Sequence, residues 1–118
     1  MRVELRLDLD ELTVNVESAS AFGLILNELI TNALKYAFPG DRRGFVSARL
    51  KREGSGVVLE VANDGVELPE NFDLAQSPGL GLNLVRMLAR QLGGETYCER
   101  AETTRFGVRA TLFELSLG

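Results

Sequence analysis

Glu28, Asn32 and Lys35 are spaced by four and three residues within Asn27-Glu28-Leu29-Ile30-Thr31-Asn32-Ala33-Leu34-Lys35-Tyr36. On an α-helix that spacing puts all three on one side. A carboxylate and an amide oxygen held together are hard oxygen ligands. They suit Mg²⁺, which keeps several waters and is shared with phosphate groups. A lysine nearby is a compact cation that reaches phosphate oxygens. The same spacing equally describes a solvated polar stripe steadied by a Glu28/Asn32 contact, and the helix alone does not choose between the two.

Two further segments carry groups of the same kind. Val61-Ala62-Asn63-Asp64-Gly65-Val66 ends an apolar run on a polar residue followed by glycine. Such an end can present one hydrogen-bonding group to a cleft and let an adenine base come close. It also has the composition of an ordinary Asn-Asp-Gly turn. Gly79-Leu80-Gly81-Leu82 leads directly into a second helical pattern. Glycines there let backbone N–H groups approach a phosphate at the positive end of a helix. Read alone, the segment is also a plain helix start. Neither a Gly-x-x-x-x-Gly-Lys-Ser/Thr phosphate loop nor a Gly-x-Gly-x-x-Gly dinucleotide motif occurs.

The elements that must position these groups follow from periodicity. Val3, Leu5, Leu7 and Leu9 alternate with charged residues, which predicts a half-buried strand. Thr13 to Val16 reads as a second short strand, and Ser18 and Ser20 as helix caps. From Ala21 to Phe38 apolar residues recur every three or four positions, giving an amphipathic helix stopped by Pro39-Gly40. Phe45–Arg52 and Val57–Ala62 read as a hairpin around Gly54-Ser55-Gly56. Glu67 to Gly79 is polar and proline-containing, and a connection this long in so small a domain reads as a lid. Leu80 to Leu92 is a second amphipathic helix, stopped by Gly93-Gly94. Glu95–Glu99 and Phe106–Leu117 are the last strands. The expected fold is a two-layer α/β sandwich, a mixed β-sheet with helices on one face.

Composition narrows the function classes. A chain of 118 residues fits one domain, residues 1–118. A net charge of −4 disfavours nucleic acid as a partner. No apolar run reaches membrane-span length, so no direct membrane contact is expected. The single cysteine, Cys98, excludes an internal disulfide and suits the cytoplasm. There is no histidine, hence no histidine base, metal ligand or phosphoacceptor within the chain.

Leu26 to Phe38 resembles the N-box of sensor histidine kinase ATP-binding domains, closest to the short-lid group called HWE or HisKA_2. Asn63-Asp64-Gly65 resembles their G1 box, and Gly79-Leu80-Gly81-Leu82-Asn83-Leu84-Val85 their G2 box. The resemblance runs from Val3 to Leu117. It implies the Bergerat ATP-binding sandwich shared with gyrases, Hsp90-type chaperones and MutL proteins. It further implies ATP and Mg²⁺ as cofactors, with Asn32 coordinating Mg²⁺ and Glu28 orienting water or metal. Lys35 would lie near the phosphates and Tyr36 beside the nucleotide, with Gly79 and Gly81 on the phosphate side and Leu80 and Leu82 lining the site. The family's G1 box usually reads Asp-x-Gly-x-Gly, its aspartate accepting from the adenine amine. Here Asn63 stands at the aspartate and Glu67 at the second glycine. Asn63 can accept, without charge and so more weakly. Asp64 would take over if the turn were shifted by one residue, and Glu67 would repel phosphates.

The resemblance therefore implies a catalytic domain that donates the γ-phosphoryl group of ATP to a histidine elsewhere. Its partners would be a histidine-bearing dimerisation domain of the same, longer protein and a downstream response regulator. Two alternatives share the fold. One is an anti-sigma-factor-type serine kinase, and the other a degenerate interaction domain, for which the altered G1 box speaks.

Overall fold

The computed structural model describes residues 3–36, 43–65, 82–100 and 103–111. These form β1 (Val3–Leu9), α1 (Val16–Tyr36), β2 (Gly44–Glu53), β3 (Gly56–Asn63), α2 (Leu82–Gln91), β4 (Glu95–Arg100) and β5 (Thr104–Thr111). The strands make one sheet in the order β1-β2-β3-β5-β4. β1 runs parallel to β2, and every other pair is antiparallel. The mixed sheet carries both helices on one face, as the sequence predicts.

Alternation sets the two faces. In β3, Val57, Leu59 and Val61 point to the helices and are at most 2% exposed. Val46 and Ala48 of β2 and Val108 and Ala110 of β5 share that side. Onto it α1 lays Ala21, Phe22, Ile25, Leu29 and Ala33, and α2 lays Val85, Leu88, Ala89 and Leu92. α1 packs over β2 and β3, while α2 packs against α1 and β4. Complete burial of a side chain such as Ile25 stabilises the fold by roughly 1.5–3 kcal/mol.

The opposite face is polar and organised in rows. Asp8, Arg49, Glu60, Gly107 and Tyr97 lie in register across all five strands. Gly107 has no side chain, so the Tyr97 ring lies over it, and a Cβ at Gly107 would collide with that ring. The phenol then donates to Glu60 Oε1 at 2.7 Å. Arg49 approaches the other Glu60 oxygen at 3.6 Å. Arg109 stacks 4.0 Å above the Tyr97 ring. Burial first, and then the Glu60 contact, pushes the Tyr97 hydroxyl well above its ordinary pKa.

Several boundaries differ from expectation. No strand forms at Thr13–Val16; these residues lead into α1, whose first helical residue is Val16. Asn15 is the cap in place of Ser18 or Ser20. The Ser18 N–H donates to Asn15 Oδ1 at 2.7 Å, and the Ala19 N–H to the Asn15 carbonyl at 3.0 Å. The hairpin turn is tighter than expected, with Glu53 opposite Gly56 and a two-residue Gly54-Ser55 loop. Gly54 takes φ 60°, the left-handed conformation a two-residue hairpin with glycine first requires. Gly93 stops α2 with φ 69°. The Gly94 N–H reaches the Ala89 carbonyl at 2.9 Å and the Gly93 N–H the Arg90 carbonyl at 3.0 Å, a Schellman pair. The expected Pro39-Gly40 stop and the Glu67–Gly79 lid lie outside the described residues.

Candidate functional site

α1 positions the first group of candidates. Leu29 and Ala33 are buried and fix the rotation of the helix on the sheet. That leaves Glu28 and Asn32 half-buried along its flank and Lys35 exposed in its last turn. Glu17 in the first turn and Lys35 in the last both complement the helix dipole. Tyr36 is the final residue of α1, with its side chain outside the described residues.

β3 positions the second group. Alternation along Val57, Leu59 and Val61 places Asn63 on the helix side of the sheet, where it is 5% exposed. The Gly65 N–H donates to Asn63 Oδ1 at 2.9 Å, closing a turn of the side chain onto its own backbone. Asp64 turns the other way. Its Oδ1 accepts the Phe45 N–H at 2.8 Å and so latches the end of β3 to the start of β2. The turn therefore holds Asn63, not Asp64, on the side of the sheet that α1 covers. Gly65 is buried beside it. Asn63 lies on the face of the sheet that α1 covers, since α1 packs directly on β3.

Leu82 opens α2, with its side chain outside the described residues, and Gly79, Leu80 and Gly81 also lie outside them. Among the described residues, no group of three or more Asp, Glu or Cys side chains gathers into a metal cage. One or two oxygen ligands, such as Glu28 and Asn32, are what Mg²⁺ requires when phosphates and water fill the rest of its shell. The half-buried carboxylate and amide fit such an ion. The Asp64–Phe45 latch and the Tyr97–Glu60 bond escaped sequence reasoning. A signal for the second existed in Gly107, because a glycine inside a strand marks close approach by another group.

Residues 17–117 match the model of the histidine kinase-, DNA gyrase B- and HSP90-like ATPase family. The chain belongs to that family, whose domain binds ATP. A relative is the blue-light-activated histidine kinase 2 of Erythrobacter litoralis, 33% identical over 102 residues, which are 86% of this chain and 30% of the relative. The sensor histidine kinase PdtaS of Mycobacterium tuberculosis is 37% identical over 73 residues, 61% of this chain and 15% of its own length. The chain thus spans less than a third of these relatives. Among solved structures, the histidine kinase domain of the Erythrobacter litoralis EL346 blue-light activated kinase superposes with a TM-score of 0.86 at 30% identity. That match covers 96% of this chain and 53% of the other. The catalytic domain of histidine kinase ThkA, at 22% identity and a TM-score of 0.76 over 95% of this chain and 81% of its own, shares the fold.

Proposed function

We propose that this chain is the catalytic, Mg-ATP-binding domain of a two-component sensor histidine kinase. It donates the γ-phosphoryl group to a histidine on a separate dimerisation domain of a longer protein, which then serves a response regulator. The observation that carries this reading is the half-buried Glu28/Asn32 flank of α1, on the same side of the sheet as the buried Asn63. The absence of histidine from the chain agrees with an acceptor located elsewhere.

Phosphoryl transfer depends mainly on positioning and charge stabilisation, so this domain needs no covalent residue. Asn32 and Glu28 hold the metal, and Lys35 adds a cation beside the phosphates. By the family resemblance, Tyr36 would lie along the nucleotide, Gly79 and Gly81 would approach the phosphates, and Leu80 and Leu82 would line the site. Asn63 faces the base, with Asp64 and Gly65 fixing its turn. Mg²⁺, when bound, neutralises charge on the phosphate oxygens. No helix among the described residues is long and apolar enough to cross a membrane. Use of ATP and a single cysteine support a cytoplasmic setting.

Titration calorimetry with a non-hydrolysable ATP analogue tests the reading. Binding should require Mg²⁺, and Asn32→Ala should abolish the metal-dependent part. Unchanged affinity in that variant overturns the metal assignment. No binding at millimolar nucleotide overturns the kinase reading and leaves the degenerate interaction domain, which the altered Asn63 and Glu67 positions favour. A longer protein that includes the dimerisation segment should in addition acquire an acid-labile phosphoryl group.

A further inference from the structure

Asn63 is 5% exposed, and its amide carries one acceptor and one donor group. The acceptor is committed, since Oδ1 receives the Gly65 N–H at 2.9 Å. Rotating the amide by half a turn would set its NH₂ against that N–H, donor facing donor. The turn therefore dictates which end is left over. That end is Nδ2, the donor. An amide NH₂ that the turn does not use can donate to an acceptor on a ligand.

Adenine and the 6-oxopurines differ at this point. Adenine carries an amine at C6, a donor, whereas guanine and hypoxanthine carry an oxygen, an acceptor. A carboxylate at position 63 would demand the amine and repel the oxygen. The amide reverses the preference of the group that remains available. We propose that this site takes 6-oxopurine nucleoside triphosphates at least as well as ATP, through Asn63 Nδ2 donating to the purine O6. The second lone pair of Oδ1 still admits the adenine amine, so ATP remains a ligand. The inference rests on the reading above that Asn63 faces the base. It concerns selection among purines and leaves the metal and phosphate contacts unchanged.

Calorimetric titrations of this chain with the Mg²⁺ complexes of ATP, GTP and ITP test it. ITP is the cleanest probe, because it lacks the 2-amino group that guanine adds. The expected result is a dissociation constant for ITP equal to or below that for ATP. Asn63→Asp keeps the acceptor for Gly65 and should raise the ITP/ATP ratio of dissociation constants tenfold or more. ATP binding tenfold or more tightly than ITP in the unaltered chain overturns the inference and leaves the kinase reading standing. If none of the three nucleotides binds, the kinase reading itself falls. The comparison within the unaltered chain decides the matter even if the variant fails to fold.

Discussion

At Tyr97 one hydroxyl group joins two strands that sequence order keeps far apart, β4 and β3, across the strand between them. The phenol on β4 passes over Gly107 of β5 and donates to Glu60 of β3, whose side chain is nearly buried. Removing the hydroxyl leaves Glu60, among the described residues, with Arg49 at 3.6 Å. A hydrogen bond to a charged, buried acceptor contributes about 1.5–3 kcal/mol. Tyr97→Phe should lower stability by about that amount in urea denaturation, with nucleotide affinity unaltered. A loss under about 0.5 kcal/mol would mean that water replaces the phenol without penalty. Burial of the phenol first, and this contact second, make stability depend on alkaline pH. The Tyr97 pKa is raised in the folded state, so its contribution is complete below the ordinary value of 10.0 and declines as pH rises above it. Tyr97→Phe should flatten that decline. None of this network was legible as a network. The sequence shows Tyr97, Gly107 and Glu60 at unrelated intervals, and only strand register brings them into one row. Asn63 was legible as a polar group ending an apolar strand. That its acceptor end is occupied required the turn geometry.

α1 shows what an element reveals and what it conceals. Ala21, Phe22, Ile25, Leu29 and Ala33 recur at helical intervals, and all are buried. Periodicity therefore identified both the helix and the face it covers, and with it the flank bearing Glu28 and Asn32. The start was misread for a physical reason. Thr13, Val14 and Val16 are β-branched and favour a strand locally, yet Asn15 satisfies the first-turn N–H of Ser18 and begins the helix there. A local hydrogen bond outweighed a local propensity. Asn15→Ala should accordingly cost about 1 kcal/mol, the usual worth of a cap. A thermal melt would register it, and an unchanged midpoint would return the cap to Ser18. Ile25→Ala, by contrast, should cost about 2–5 kcal/mol, because that side chain is fully enclosed and leaves a cavity.

For the whole molecule, strand order matters more than strand content. The alternation of β1 was plain in the sequence, but its place at the sheet edge was not, because periodicity carries no information on neighbours. α1 covers β2 and β3, and α2 lies towards β4, so the inward row of β1 is poorly covered. Leu5, Leu7 and Leu9 remain 55%, 59% and 52% exposed. β1 is held by its parallel ladder to β2 and by Asp10, which accepts the Arg52 N–H at 3.0 Å and Lys51 at 3.3 Å. Both contacts hold the Asp10 carboxyl below its ordinary pKa, the backbone bond most strongly. The contribution of Asp10 is thus present above the ordinary value of 3.8 and lost as pH falls below it. β3 is the opposite case: it is central, paired on both sides and buried from Val57 to Asn63. Strands so differently enclosed should open separately. In native-state hydrogen exchange, the β1 amides that face β2 should exchange through local opening, faster than those of β3, which should wait for global unfolding. The gap should widen as the solution is acidified through the Asp10 range. Equal protection of β1 and β3 would mean that the edge strand belongs to the same cooperative unit as the core. Because the turn proposed to face the base is latched from Asp64 of this central region to Phe45 of β2, loosening of β1 should leave nucleotide binding intact, and titration as the solution is acidified below 3.8 would reveal any coupling.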